Sequence, residues 1–136
     1  MTPIEQLRCT VPELQGMVGR MWHGQFELCA PGSDRTAHDI LDEVIVSAIR
    51  DAALLRGEPE PLVDAPFVYG WVPNVELDEA TTDLLTAAEV AHVAGDDVTA
   101  VAARTAALAH DLALALVLGT VAGNRAVLTH STSQAQ

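Results

Sequence analysis

Apolar residues recur at steps of three and four along most of this chain, which is the spacing of an amphipathic helix. The clearest example lies between two break signals, Ala30-Pro31-Gly32 and Gly57. Its apolar positions are Leu41, Ile45, Ala48, Ala52 and Leu55. With Ser33 or Asp34 as its N-cap, the pattern predicts a helix that reaches Arg56 and turns one stripe towards a core.

Three other helices are predicted from periodicity, caps and glycine stops. They are Glu13–Leu28 after Thr10 and Pro12, a third helix from about 77–79 to Gly95, and a fourth that is capped by Asp96 or Asp97 and continues at least to Leu118. Four prolines in residues 58–74 predict an extended crossover between the second and third helices. The sequence therefore predicts an all-α, single-domain bundle of four principal helices over residues 1–130. Residues 131–136 are expected to form a disordered polar tail.

The segment Thr105–Gly123 is apolar or small on nearly every side, with His110 and Asp111 as its only ionisable residues. Such a helix is expected at the buried centre of a fold. Two interpretations of the pair remain open. Asp111 could pair with an arginine from another helix while His110 is a hydrogen-bonded core histidine. Alternatively, His110 is a general acid or base beside a pocket.

Composition restricts the class of partner and the location. The net charge is −12, and all seven basic residues are arginine. Such a field repels nucleic acid and anionic lipid, so neither is an expected partner. Thr105–Gly123 is long enough to span a membrane, but its alanines and its central His-Asp pair argue against insertion. The N-terminal residues show no secretion signal, and Cys9 and Cys29 lack metal-type spacing, so a cytoplasmic protein with reduced thiols is expected.

His92 is a possible metal ligand, because it follows Glu89 at the Glu-x-x-His spacing of di-iron bundles. Those sites need two such motifs and two more carboxylates, and the sequence contains one motif. A mononuclear site that combines His92 with His110 or His38 is the alternative. The sequence therefore predicts no metal and no organic cofactor.

Further candidates for ligand binding lie on or near the predicted helices. His38 and Asp42 are one turn apart at the edge of the core stripe, where a boundary ion pair is the competing interpretation. The other candidates are the aromatic residues Trp22, Tyr69 and Trp71, and Arg104, which shares a helix face with Asp111. A strip of small residues, Ala115, Gly119 and Gly123, permits close approach of another helix, within the bundle or across a dimer.

Three short resemblances to known families bear on these residues. The dyads His38-Asp39 and His110-Asp111 resemble that of HD-domain phosphohydrolases, and Arg104 with His110 is spaced as in HEPN ribonucleases. Residues 29–58 are similar to the second-helix region of DinB-like bundles. The flanking functional positions of all three families are missing here, so the resemblances imply a helical fold and no activity.

Two classes of function follow. The first is a small-molecule-binding helical protein that could be a cofactor-independent enzyme. In this class His110 or His92 transfers a proton, and Asp111 or Asp42 orients that histidine. Trp22, Tyr69 and Trp71 line the pocket. The second is a non-catalytic interaction or accessory subunit, as a homodimer or with a partner chain, in which the His and Asp groups are structural.

Overall fold

The computed structural model describes the backbone of residues 1–62 and 73–135 and the side chains of residues 1–62 and 74–121. Four helices are present: α1 Pro3–Gly19, α2 Ala37–Leu55, α3 Pro73–Val93 and α4 Thr99–Ala135. A short 3-10 helix, His23–Glu27, lies between α1 and α2. The described residues contain no named strand, which confirms the predicted all-α bundle. Tyr69, Trp71 and most of the predicted proline-rich crossover lie outside the described residues.

Polar contacts between helices fix their directions. Arg8 and Gln15 of α1 contact Glu89 and Thr82 of α3, so these helices are antiparallel. Asp51 near the end of α2 meets α4 at Arg104, whereas the start of α2 lies near Asp111, so α2 and α4 are also antiparallel.

The short connection 94–98 reverses the chain between α3 and α4. Helices α2 and α3 therefore run parallel, although they are consecutive in the sequence. Helices α1 and α2 each pack against both α3 and α4. The topology of the four helices is consequently up-down-down-up, a relative of the simple up-and-down bundle.

Helix α1 begins about ten residues before its predicted start. The Thr2 hydroxyl accepts a hydrogen bond from the Glu5 N–H, and the Glu5 carboxylate accepts one from the Thr2 N–H. This reciprocal capping box, followed by Pro3 in the first turn, is a strong helix start. The predicted helix Glu13–Leu28 was therefore wrong at both ends. Pro12 lies inside α1 on its exposed side and does not end the helix.

The ends of the other helices agree better with the sequence. Gly57 and Gly95 have φ of 71° and 86°, the left-handed conformation that ends a helix, and both were predicted stops. The Asp97 carboxylate accepts the Thr99 N–H at 2.9 Å, which confirms Asp97 as a cap of α4. Helix α2 is capped by Thr36 rather than by Ser33 or Asp34.

The core lies along the axis of the bundle and is built from leucine, isoleucine, valine and alanine of all four helices. The predicted stripe of α2 is confirmed, because Leu41, Ile45, Ala48 and Ala52 are buried. The largest fully buried aliphatic side chains are Leu7, Leu14, Leu41, Ile45, Leu77, Leu84 and Leu112. This core positions two surfaces that carry the remaining polar and apolar features, one between α2 and α4 and one on the outer side of α4.

Helix α4 is not buried on all sides, so the expectation of a central buried helix was wrong. One side faces the core through a row that includes Val101, Leu108 and Leu112. The other side faces outwards although it is apolar. Thr99–Val121 is the one segment in the described chain that is long and apolar enough to cross a membrane, and 39% of it is buried inside the bundle.

Candidate functional site

His110 and Asp111 do not form a buried pair. His110 is exposed and Asp111 is partly exposed. The Asp111 carboxylate lies 3.7 Å from the guanidinium of Arg35, a residue of the connection before α2. Arg35 also pairs with Glu43 of α2. Asp111 thus has an arginine partner from another part of the fold, as one interpretation predicted, but His110 is not a core histidine.

His92 lies at the exposed end of α3, on a different helix from His110. Its neighbour Glu89 accepts two hydrogen bonds from Arg8, at 2.5 and 2.7 Å. These hydrogen bonds hold the pKa of Glu89 below its usual value. In the described ranges, no three His, Cys, Asp or Glu side chains are grouped so that they could hold a metal ion. Glu89 therefore belongs to an ion pair with Arg8 that joins α3 to α1.

Trp22 is 67% exposed and lies next to the 3-10 helix. Its ring lies over Gly24, where a Cβ atom would come within 2.1 Å of the indole. The indole is therefore folded back onto its own turn and does not wall a cavity with His92 or His110. The other two aromatic candidates, Tyr69 and Trp71, lie outside the described residues.

Arg104 contacts Asp51 of α2, a residue that the sequence analysis did not select. Arg104 Nε and Nη2 lie 3.2 and 2.7 Å from the two carboxylate oxygens of Asp51. Asp51 is only 5% exposed, whereas the Arg104 side chain is about half exposed. Ser47 Oγ lies 3.5 Å from Asp51 Oδ2. This bidentate pair crosses from α2 to α4 and satisfies a carboxylate that burial would otherwise strongly destabilise.

A groove of about 420 Å³ runs beside this ion pair. The polar residues that line it are Asp42, Glu43, Ser47, Arg50, Asp51 and Arg104. Of the candidates from the sequence, this groove brings together Asp42 and Arg104 only. None of the residues that line it is a histidine.

His38 and Asp42 lie at the boundary of the core as predicted, with Nδ1 and Oδ2 3.6 Å apart, and this contact is an ion pair when His38 is protonated. The other carboxylate oxygen of Asp42, Oδ1, is buried and has no hydrogen-bond partner within the described part of the chain. Burial raises the pKa of Asp42, and nearby His38 opposes that effect. Burial disfavours the charged form of a carboxyl group, so ionised Asp42 is a local cost to the fold.

We expect Asp42→Asn to stabilise the protein at pH 7 by about 0.5–1 kcal/mol, the scale of one hydrogen bond. Because the folded-state pKa of Asp42 is raised, the penalty is fully present above that pKa and disappears as the pH falls below the ordinary value near 4. Urea unfolding at pH 7 and at pH 3.5 measures this difference. The gain should shrink towards zero at the lower pH.

The matched control is Asp83→Asn. In the wild-type protein, hydrogen bonds from Arg56 lower the pKa of the Asp83 carboxyl group. Because the pKa of Asp83 is lower in the folded state, its ionised carboxylate stabilises the fold at any pH above the pKa of the unfolded state. This stability is lost as the pH falls through the folded-state pKa. The control should therefore destabilise the protein at pH 7, opposite in sign to Asp42→Asn. If the two variants change the free energy of unfolding at pH 7 in the same direction, ionised Asp42 does not destabilise the fold as we expect.

The outer side of α4 carries a regular apolar row that we call the α4 seam. Its members, spaced alternately by three and four residues and all exposed, are Ala100, Ala103, Ala107, His110, Leu114, Val117 and Val121. Leu114, Val117 and Val121 are between 37% and 61% exposed. This alternation is the a/d repeat of a coiled-coil helix. The seam lies on the side of α4 opposite Val101, Leu108 and Leu112.

The small-residue strip is used inside the bundle, at least at Ala115 and Gly119. Ala115 is 1% exposed. A Cβ atom at Gly119 would lie 2.9 Å from the carbonyl oxygen of Cys29. These positions therefore let the connection before α2 approach α4, and they are not open to a second chain.

Comparison of the chain with protein-family models, with curated proteins and with solved structures finds no match. The function must therefore be argued from the groove and the α4 seam themselves. The seam was hidden in the sequence analysis because α4 is apolar on several sides, and only packing shows which of them the bundle covers. The signal that could have found it is the unbroken three-four spacing from Ala100 to Val121.

Proposed function

We propose that this protein is a non-catalytic association module that binds another protein chain through the α4 seam. The observation that supports the proposal is the regular a/d repeat of exposed residues, all of which except His110 are small or apolar. Apolar surface gathered in one contiguous row is typical of an interaction site, whereas scattered exposed apolar residues are ordinary. An a/d row on an exposed helix is the surface that a second helix packs against.

The placement of the titratable candidates favours this class over acid-base catalysis. His92 and His110 are exposed on separate helices, and Asp111 and Glu89 are each engaged by an arginine. A general base needs a substrate-sized cavity and an orienting group within hydrogen-bond reach. The α2–α4 groove is lined by Arg104, Asp51 and Asp42 and holds neither histidine.

Sedimentation velocity over a wide range of protein concentration tests the proposal. The wild-type protein should sediment with more than the chain mass of 14.4 kDa. Leu114→Glu/Val117→Glu should sediment as a single chain, because the interface would bury unpaired carboxylates. At a concentration where the wild-type protein is dissociated, the thermal midpoint of this variant should stay close to that of the wild type, since Leu114 is 37% and Val117 61% exposed.

The control carries the same two changes on α3, as Val90→Glu/Val93→Glu. Both of these valines are exposed and lie off the α4 seam. The control should associate like the wild type. A wild-type protein that stays at one chain mass at every concentration, or association that survives in the seam variant, would overturn the proposal.

The second candidate is binding of a small molecule in the α2–α4 groove. The observation that favours it is the buried Oδ1 of Asp42, which has no hydrogen-bond partner among the described residues and which a ligand with a hydrogen-bond donor could satisfy. A thermal-shift screen of small amines and amides tests it, with Asp42→Asn as the matched variant. A ligand that stabilises both proteins equally would place binding away from Asp42.

The composition supports two further parts of the proposal. With a net charge of −12, the partner is another protein rather than nucleic acid. We place the protein in the cytoplasm, with the apolar side of α4 covered by a partner chain rather than by lipid. Co-flotation of the protein with lipid vesicles separates these two cases.

A further inference from the structure

We infer that the chain that covers the α4 seam is a second copy of this protein, packed antiparallel about a two-fold axis that passes beside His110. This inference rests on the proposed function and specifies the partner and its geometry. It follows from the order of small and large residues along the seam, which is complementary to its own reverse.

The seam is divided at His110 into a half of small residues and a half of large residues. Alanine occupies Ala100, Ala103 and Ala107, whereas the following positions are Leu114, Val117 and Val121. If two seams cross in opposite directions with His110 at the centre, the matching pairs are Ala107 with Leu114, Ala103 with Val117 and Ala100 with Val121. Each pair joins one small side chain to one large side chain. Facing helices pack at protein density when large and small residues alternate across the contact.

A parallel arrangement does not have this match. It would place alanine on alanine through one half of the seam and leucine or valine on its own kind through the other. The distance between the helix axes would then have to increase from one end to the other, although inter-axis distance is set by the side chains at the contact. An isologous two-fold contact also closes on itself, as most soluble homo-oligomers do.

The charge distribution also fits a second copy. Two chains of net charge −12 can approach only where their acidic residues are absent or neutralised. From Thr99 to Val121 the one acidic residue is Asp111. It lies beside the seam and is paired with Arg35. The other ionisable residues are Arg104, which holds Asp51, and His110 at the proposed axis.

Site-specific cross-linking of single-cysteine variants tests the orientation. In a Cys9→Ser/Cys29→Ala background, Ala103→Cys and Val117→Cys proteins are prepared separately, mixed, equilibrated and treated with a thiol oxidant. A disulfide forms only when the two Cα atoms approach within about 7 Å. The antiparallel dimer predicts a cross-linked dimer in the mixture that contains both variants, and little in either variant alone.

A cross-link in each variant alone would show a parallel pair and would overturn the inference while leaving association through the seam intact. No cross-link in any sample from a protein that still sediments as a dimer would also overturn it. Leu114→Glu/Val117→Glu then decides the proposed function separately. If that variant dissociates, the seam is still the interface, and if it remains associated, the proposed function fails as well.

Two further variants and one lipid test sharpen the result. His110→Leu replaces a polar group at the axis and should tighten the dimer about tenfold, whereas His110→Glu should weaken it at least 100-fold, at about 1.4 kcal/mol for each factor of ten. At concentrations where all three proteins are dissociated, both His110 variants should have the same thermal midpoint as the wild-type protein. Co-flotation of the wild-type protein with phosphatidylcholine vesicles, abolished by Leu114→Glu/Val117→Glu, would instead assign the seam to a membrane and overturn the inference.

Discussion

Replacement of Arg104 by alanine is expected to lower the free energy of unfolding by about 2–3 kcal/mol, the range for a charged hydrogen-bonded group that loses its partner. The reason lies in Asp51, which is nearly fully buried and receives both nitrogens of Arg104. Without the guanidinium, the Ser47 hydroxyl at 3.5 Å is the one side-chain partner that the described residues leave to this buried carboxylate. Urea unfolding at pH 7 measures the loss.

The control is Arg56→Ala, which removes an equally well-formed bidentate pair with Asp83. The carboxylate of that pair is much more exposed than Asp51, because the Asp83 side chain is 52% exposed and the Asp51 side chain 8%. An exposed pair contributes about 0.2–1 kcal/mol, so the control should cost much less than Arg104→Ala. Equal losses would show that burial of Asp51 does not determine the effect.

A second variant distinguishes a stranded charge from lost packing. Asp51→Leu/Arg104→Met removes both charges and keeps apolar volume in their place. Replacement of a buried ion pair by apolar residues is often neutral or stabilising. The double variant should therefore recover most of the stability that Arg104→Ala loses. If it is as unstable as the single variant, the loss comes from the Arg104 side chain itself and not from Asp51.

This pair also shows what the sequence could and could not predict. Asp51 and Arg104 are separated by 53 residues, and neither periodicity nor a cap signal relates them. By contrast, the stripe of α2 from Leu41 to Ala52 was predicted correctly, because helical spacing and the Gly57 stop are local properties. Contacts across the bundle depend on helix directions, which the sequence analysis left open.

The first and last helices show two different failures. At α1, the predicted helix starts at Glu13, just after Thr10 and Pro12, although the Thr2-Pro3-Ile4-Glu5 capping box lies upstream. That signal was local and could have been used. At α4, an apolar composition predicted burial, yet one side of the helix faces outwards through Leu114 and Val117. No local rule states how many sides of an apolar helix its own chain will cover.

The geometry of the α1–α2 connection explains why the small residue at Gly119 is needed. Residues 28 and 29 lie directly against α4, where a Cβ atom at Gly119 would be 3.0 Å from Leu28 Cβ and 2.9 Å from Cys29 O. Two backbone contacts hold the same connection in place. The Ala37 N–H donates a hydrogen bond to Leu28 O at 2.7 Å, and Cys29 and Thr36 form an isolated antiparallel β-bridge. The nearest obstacles therefore include backbone atoms that cannot rotate away.

Gly119→Val is accordingly expected to lower the free energy of unfolding by about 3 kcal/mol, and Gly119→Ala by about 1 kcal/mol, because overpacking outweighs the helix propensity gained. Gly19→Ala is the control, since nothing lies within 4 Å of a Cβ atom there. It should be neutral or slightly stabilising. The three variants are compared by chemical denaturation in a background that also carries Leu114→Glu/Val117→Glu, which keeps the chain monomeric. The change in unfolding free energy then contains no contribution from association. A neutral Gly119→Val would mean that the connection moves away from α4 at little cost, and would place the requirement for glycine elsewhere.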